Sequence, residues 1–444
     1  MEEEIEYSIK KIVDYLDKDS DDFKLKHSKN GMPQYGLETE HLISLIVESD
    51  LIKKEELRIS NRKIREEIKN ILNDIKKSDG EDIIEKFEDK KDKLHRRLGK
   101  KDYDDYTIVF PLNFNFKSSE MDVDEYAIKE EKIIKLEYDE WEENYKSKAY
   151  DTEEESQVEF AISMSPNDFS EWFTYWKFNY AANDYRYGIE KLKNKLELLL
   201  GKISFSLHVQ EIRLYESEKL PLRSNLTEIR MPFIFLIFKD SEYDHYELSN
   251  DPSKRKRVDI KGTKEKRYKG KFPQLPNFDK TENDLNDRLA KAFRLYQKAM
   301  ENPSREEGFL TFWRGFELLT LTTREDNMYN VCERLRSTIE YKDEDEVIKT
   351  ILDRLRKKRN TLVHKGYECQ ITLPDLSESK TIFENIIKFY LMYRDEYDKD
   401  DLEYILKNYH KGKQSLRDKK KYFKWDIEDK KRKIELIDEM LEWD

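Results

Sequence analysis

The chain has 444 residues, 41% of them charged and 37% hydrophobic, with a formal net charge of −12. That length suits roughly two to four domains; so high a charge content leans toward disorder, but 27 Tyr, 22 Phe and 6 Trp supply large apolar surface that disordered chains lack. With only 12 Gly and 10 Pro, collagen-like and loop-rich scaffolds are excluded and long, mostly helical elements are expected.

Residues 1–101 read as a helical module, with a compact apolar run over 41–47 and Ile64, Ile68, Ile71, Leu72 and Ile75 at steps of three and four. Residues 102–249 read as an α+β domain, because the period drops to two over 107–116. Further strands are expected over 127–136, 202–209 and 231–238, with a helix over 184–200 that Gly201 terminates. The aromatic cluster over 172–180 is read as core or interface, with a base-stacking or ligand-sensing pocket as the sharper alternative. Residues 250–280 form a basic linker or loop: ten cations between Lys254 and Lys271 face only Asp259 and Glu265, with Tyr268 and Phe272 available for stacking. Such runs are commonly just solvated. Residues 281–410 are helical throughout, and 411–444 form one more charged helix with Ile434, Ile437, Met440 and Leu441 on one side. The expected class is α+β, with an antiparallel sheet and a C-terminal all-α bundle.

Two cysteines, Cys332 and Cys369, are too few for a disulfide framework or a Cys-based zinc site. No His/Cys ligand spacing, phosphate-binding glycine loop or GxSxG elbow occurs, so neither a metal nor any other cofactor is expected, and Cys332 reads as core. No apolar run reaches about 18 residues, and the acidic start is unlike a signal peptide; a soluble cytoplasmic protein without membrane contact is expected. Net acidity opposes wholesale nucleic-acid coating, since counterion release needs a positive surface, but leaves room for a local basic site.

The informative anomaly is a pair of charges on apolar faces. Ile348, Ile351, Leu352, Leu355 and Leu362 form a stripe whose missing step is Arg359; Leu310, Trp313 and Leu321 form another interrupted by Glu317. An acid and a base so placed suggest a buried or cleft-lining pair, because an unpaired buried charge costs several kcal/mol, roughly. An arginine snorkelling from the stripe's edge, or a pair that only fixes helix register, is the plainer alternative. Asn360 and His364 share a helix face at spacing four, with Gly366 placed to end the helix. Arg354, Arg356, Lys357, Lys358, Arg359 and Lys365 are cations with no acid among them, which favours an anionic partner over a solvated face matched by acids such as Asp343 to Glu346.

The run Arg359-Asn360-Thr361-Leu362-Val363-His364-Lys365-Gly366 resembles the signature of the HEPN superfamily, and Phe309-Leu310-Thr311-Phe312-Trp313-Arg314-Gly315-Phe316-Glu317 resembles its ApeA-like branch. The likeness covers roughly 283–410. It implies a HEPN helical bundle that dimerises, or forms a higher oligomer, so that two Arg-x4-His segments face each other in a metal-independent endoribonuclease. In that chemistry RNA supplies the 2′-OH nucleophile, His364 is general acid or base and Arg359 the phosphate clamp. Asn360 orients and Glu317 holds Arg359, while Arg354, Arg356, Lys357, Lys358 and Lys365 contact RNA. A role in defence or stress response follows from the resemblance alone, with residues 1–280 sensing a trigger or engaging a regulatory partner. The competing expectation is a non-catalytic HEPN module that dimerises and binds RNA or protein.

Overall fold

The computed structural model describes residues 2–18, 20, 22–26, 36–49, 51–78, 82–100, 102–116, 133–150, 174–208, 227–248, 258–275, 284–321, 323, 326–339, 345–365, 369–408 and 412–441. These form two compact units, one from residues 1–196 and 231–259, the other from 197–230 and 260–444. The class is α+β, with an antiparallel sheet in the first unit and helices in the second.

The first unit begins with α1 (Glu2–Tyr15), α2 (Gly36–Glu48), the short α3 (Lys54–Leu57), α4 (Asn61–Ile75) and α5 (Asp82–Gly99). Their apolar stripes close one core around Ile12, Ile43, Ile68, Leu72 and Phe87. Ser60 caps α4 by accepting from the Lys63 backbone N–H at 3.1 Å, and its hydroxyl donates to Asp184, so the cap is itself anchored.

The strands are β1 (Asp104–Leu112), a short β2 (Phe114–Phe116) that lies outside the main sheet, β3 (Ile133–Lys135), β4 (Thr174–Ala182), β5 (Ile234–Lys239) and β6 (Glu242–Leu248). Five strands run in the order β3-β4-β1-β5-β6, every pair antiparallel, with Asp104 opposite Ala182 and Leu112 opposite Thr174. Short helices α6 (Tyr138–Trp141) and α7 (Ser147–Tyr150), joined by a π-helical turn over Glu142–Lys146, pack on one face through Trp141, stacked on Tyr175 at 3.9 Å. The aromatic cluster is therefore largely strand β4, with Tyr175, Trp176 and Phe178 buried; Trp172 and Phe173 lie outside the described residues, as does the 127–132 part of the strand expected there. The shallow recess beside Trp141 and Tyr175, lined also by Val109, Phe110, Pro111, Ile234 and Leu236, has no interior room for a water molecule, still less for a base.

Helix α8 (Tyr185–His208) corrects two expectations. It runs through Gly201 and takes in the strand expected over 202–208; Val209 is outside the described residues. The alternation of Ile203, Phe205 and Leu207 with Ser204 and Ser206 imitates a strand, but all five are buried, so the period does not sort inside from outside. Gly201 marks close approach: a Cβ there would stand 2.2 Å from the Phe293 carbonyl oxygen.

The basic linker likewise contains regular structure. Strand β7 (Val258–Ile260) is followed by α9 (Thr263–Lys271) and a 3₁₀ turn over Phe272–Gln274. Tyr268 and Phe272 are buried and stacked on each other at 4.8 Å, with Lys202 over the Phe272 ring, so neither is free to stack on a base. Cations 254–257 lie outside the described residues.

The remaining helices are α10 (Asp284–Glu301), α11 (Arg305–Leu319), α12 (Met328–Arg336), α13 (Asp345–Lys365), α14 (Leu373–Tyr393), α15 (Lys399–Asn408) and α16 (Gly412–Leu441). Phe293, Tyr296, Phe312, Phe316 and Phe383 make the aromatic centre of α10, α11 and α14, with edge-on contacts such as Phe312 on Phe383 at 5.7 Å. Gly315 leaves room for the Phe383 ring, whose nearest atom is 2.4 Å from where a Cβ would sit. Inside this core the Tyr296 hydroxyl donates to Glu384 at 2.6 Å, as does Lys380. Burial pushes the Cys332 thiol up to about 12. Among the described residues no helix is long and apolar enough to cross a membrane.

Candidate active site

Helices α11 and α13 bring Glu317 and Arg359 together. Arg359 Nη2 donates to Glu317 Oε1 at 3.2 Å, and its Nη1 to Asn360 Oδ1 at 3.4 Å. The side chains are 22% and 33% exposed, so the pair is neither buried nor a solvated surface bridge. The α13 stripe explains this. Ile348, Leu352 and Leu355 are buried, whereas Leu362 is only half-buried, and Arg359 sits where the stripe emerges from the core. The guanidinium is held at a rim, reachable by solvent and fixed by a partner.

Glu317 is placed by α11, which Ser304 starts by accepting from the Glu307 backbone N–H at 3.2 Å. The spacing of Glu317 to Leu321 is not helical, contrary to the sequence pattern: α11 ends at Leu319, and Leu321 adopts a left-handed backbone with φ of 55°. Arg334, 4% exposed, holds that end. Its Nη1 donates to the carbonyl oxygens of Thr320 and Leu321, both at 2.9 Å, and its Nη2 to Asp326 at 2.9 Å. Carbonyls left open at a helix C-terminus thus meet a charged donor from the next helix.

His364 lies in the last turn of α13, exposed, beside exposed Val363. Asn360, one turn earlier, is half-buried. Arg359, Asn360 and Glu317 are in mutual reach through Arg359; His364 is on the same helix without a hydrogen bond or ion pair to a described residue. Nothing described concerns the Lys365 side chain, and Gly366 lies outside the described residues.

The cations of α13 are mostly matched by acids. Arg354 pairs with Glu378 and, at 3.8 Å, with Asp375; Lys358 reaches Asp375 at 2.5 Å; Arg356 pairs with Asp353 at 3.2 Å. Among the described residues the matching acids are those of α14 and Asp353; of the four expected from Asp343 to Glu346, Glu346 pairs with Lys349 at 3.7 Å, and Asp343, Glu344 and the Asp345 side chain lie outside the described residues. Burial pushes the Asp375 carboxyl up, but hydrogen bonds from Lys358 and Thr372 outweigh it and hold the group below its ordinary value. Burial raises Glu378 despite the Arg354 charge. Lys357 and, on α11 one turn before Glu317, Arg314 are exposed and make no ion pair with a described residue. Sequence reasoning passed over Arg314, Asp375 and Glu378. The Thr372-Leu373-Pro374-Asp375 start of α14 carried a legible signal, because Thr372 and Asp375 form a capping box.

Among the described residues no cluster of three or more His, Cys, Asp or Glu could hold a metal ion. No family model, curated protein or solved structure matches the chain.

Proposed function

We propose that the chain is a metal-independent endoribonuclease of HEPN type, acting through Arg359 and His364. The observation that carries this reading is the rim-held Arg359, paired with Glu317 from a second helix and set on the same helix as Asn360 and the exposed His364. RNA brings its own nucleophile. A fixed cation to stabilise charge on the phosphoryl oxygens and an imidazole to move the 2′-OH proton suffice for transesterification. One imidazole does not easily serve both sides of the phosphorus, and pairing of two copies through the exposed end of α13 supplies a second His364. In this reading the protein is cytoplasmic and serves defence or stress response, with residues 1–280 as sensor or regulator.

A second reading is favoured by the acids on α14. With Arg354, Arg356 and Lys358 already matched, the cationic field of α13 is weaker than its sequence implies, which suits a non-catalytic module that holds RNA or a protein partner. The two part on cleavage. Labelled RNA incubated with the wild-type chain in EDTA should yield products ending in 2′,3′-cyclic phosphate, and His364→Ala should abolish them. Activity that persists in His364→Ala rejects this site; a wild type that binds RNA but leaves it intact favours the module.

A further inference from the structure

Helix α16 is a single helix of 30 residues, about 45 Å long. Its first half is tied to α15. Lys419 donates to Asn408 and lies 5.5 Å over the Tyr404 ring, and Phe423 packs on the same ring at 6.1 Å. Beyond that anchor three described apolar side chains face solvent: Ile427, Ile434 and Ile437 are 52%, 58% and 55% exposed. They are not scattered. Positions 416, 420, 423, 427, 430, 434, 437 and 441 follow one another in alternating steps of four and three and hold Leu, Lys, Phe, Ile, Lys, Ile, Ile and Leu. That is the seam of a heptad repeat, with β-branched residues at two of its a positions.

The charges specify what covers the seam. Between 413 and 424 there are six cations and one acid, Asp418, whereas the last turns hold Glu435, Asp438 and Glu439 and no cation. In the middle, charges are matched within the helix, Lys430 to Asp426 at 2.8 Å and Lys433 to Asp429 at 2.6 Å. Both ends oppose the helix dipole, which favours acids at the start and bases at the finish, so the helix alone gains nothing from this segregation. A parallel copy would set like charge beside like. An antiparallel copy sets the cationic start of each helix beside the acidic finish of the other.

We propose that α16 pairs with α16 of a second copy of the chain as an antiparallel coiled coil. Facing layers then place Phe423 of one copy against Ile434 of the other, and Ile427 against Lys430, whose stem covers the isoleucine while its ammonium reaches the rim. The two seam lysines weaken the pair and penalise slipped registers. This pairing requires nothing of the chemistry at Arg359, and its test involves no RNA.

In the full-length chain carrying Cys369→Ser, one tagged preparation bears Phe423→Cys and a differently tagged one bears Ile434→Cys. Mixed and mildly oxidised, they should give the mixed disulfide as the main product, since in this register two copies of residue 423 stand about 16 Å apart along the axis. Homodisulfides as the main product would establish parallel pairing and overturn the proposal. So would a wild-type chain that is monomeric by light scattering at tens of micromolar, roughly the range in which weak self-association is seen. A double variant, Ile427→Asp with Ile434→Asp, changes only exposed positions; it should keep wild-type helicity while raising the dimer dissociation constant at least about tenfold. An unchanged dimer in that variant places self-association on another surface and rejects the coiled coil.

Discussion

Lys358 on α13 donates to Asp375 on α14 at 2.5 Å, and the same carboxylate accepts from the Thr372 backbone N–H at 2.8 Å. One buried acid, 1% exposed, therefore closes the start of α14 and neutralises a cation of the candidate RNA-binding helix. Asp375→Asn should cost about 1–3 kcal/mol, seen as a lower urea midpoint, because it weakens the capping box and leaves Lys358 without its counter-charge. The same change should raise RNA affinity, with a salt dependence steeper by roughly one counterion. The pH sign follows from the carboxyl being held below its ordinary 3.8. The stability it contributes is present above that value and lost as pH falls through the lower folded value, and Asp375→Asn should remove that part of the acid transition.

Among the described residues Lys357 and Arg314 are exposed cations on the helices of the pair that carry no acid partner, so the RNA reading assigns them to phosphate. Replacing either with alanine should weaken RNA binding and lower the log–log salt slope by roughly 0.7 for single-stranded RNA. Arg356→Ala, which removes a side chain already matched by Asp353, should change the slope little. Binding titrations at several salt concentrations separate the two cases.

In the proposed ribonuclease reaction Glu317 serves as a positioning residue, acting through Arg359. Glu317→Gln should lower cleavage by roughly tenfold to a hundredfold, chiefly in kcat, because the guanidinium loses the fixed orientation that transition-state stabilisation requires. RNA affinity should be retained. Arg359→Lys keeps the charge but not the planar fork and should be at least as damaging. A loss confined to KM would assign the pair to substrate binding instead.

His208 gives the second unit a separate pH dependence. Burial, aided by the Lys380 and Lys264 charges, pushes its imidazole down from 6.5 to about 4. The folded state prefers it neutral, so its contribution is complete above 6.5 and is lost as pH falls toward 4. Melting temperature measured across that interval should fall by several degrees in the wild type and by less in His208→Gln.

The parts of this fold legible in the sequence are those where one periodicity separates inside from outside. The stripe of Ile64, Ile68, Ile71 and Leu72 became α4, its apolar side buried; β1 formed where a strand was expected, although Ile108 to Leu112 are buried without alternation. Where both faces are buried the periodicity loses meaning, which is why the end of α8 read as a strand and Gly201 read as a stop when it is a point of contact with Phe293. At the site, the anomaly of Arg359 and Glu317 was legible because charge on an apolar face is costly. Which cations remain uncommitted was not, because Asp375 and Glu378 meet α13 only through tertiary packing.

The left-handed turn at Leu321 ties the end of α11 to the helix that follows it. A glycine would take that backbone without strain; here a leucine takes it, buries its side chain at 5% exposure, and Arg334, aligned by Asp326, fastens the carbonyl. The C-terminal end of the helix that carries Glu317 is thus held by Arg334 and Asp326 as well as by its own hydrogen bonds. Sequence drift at 321, 326 or 334 is then constrained jointly: change at any one of them loosens the same helix end, and a compensating change is to be sought at the other two.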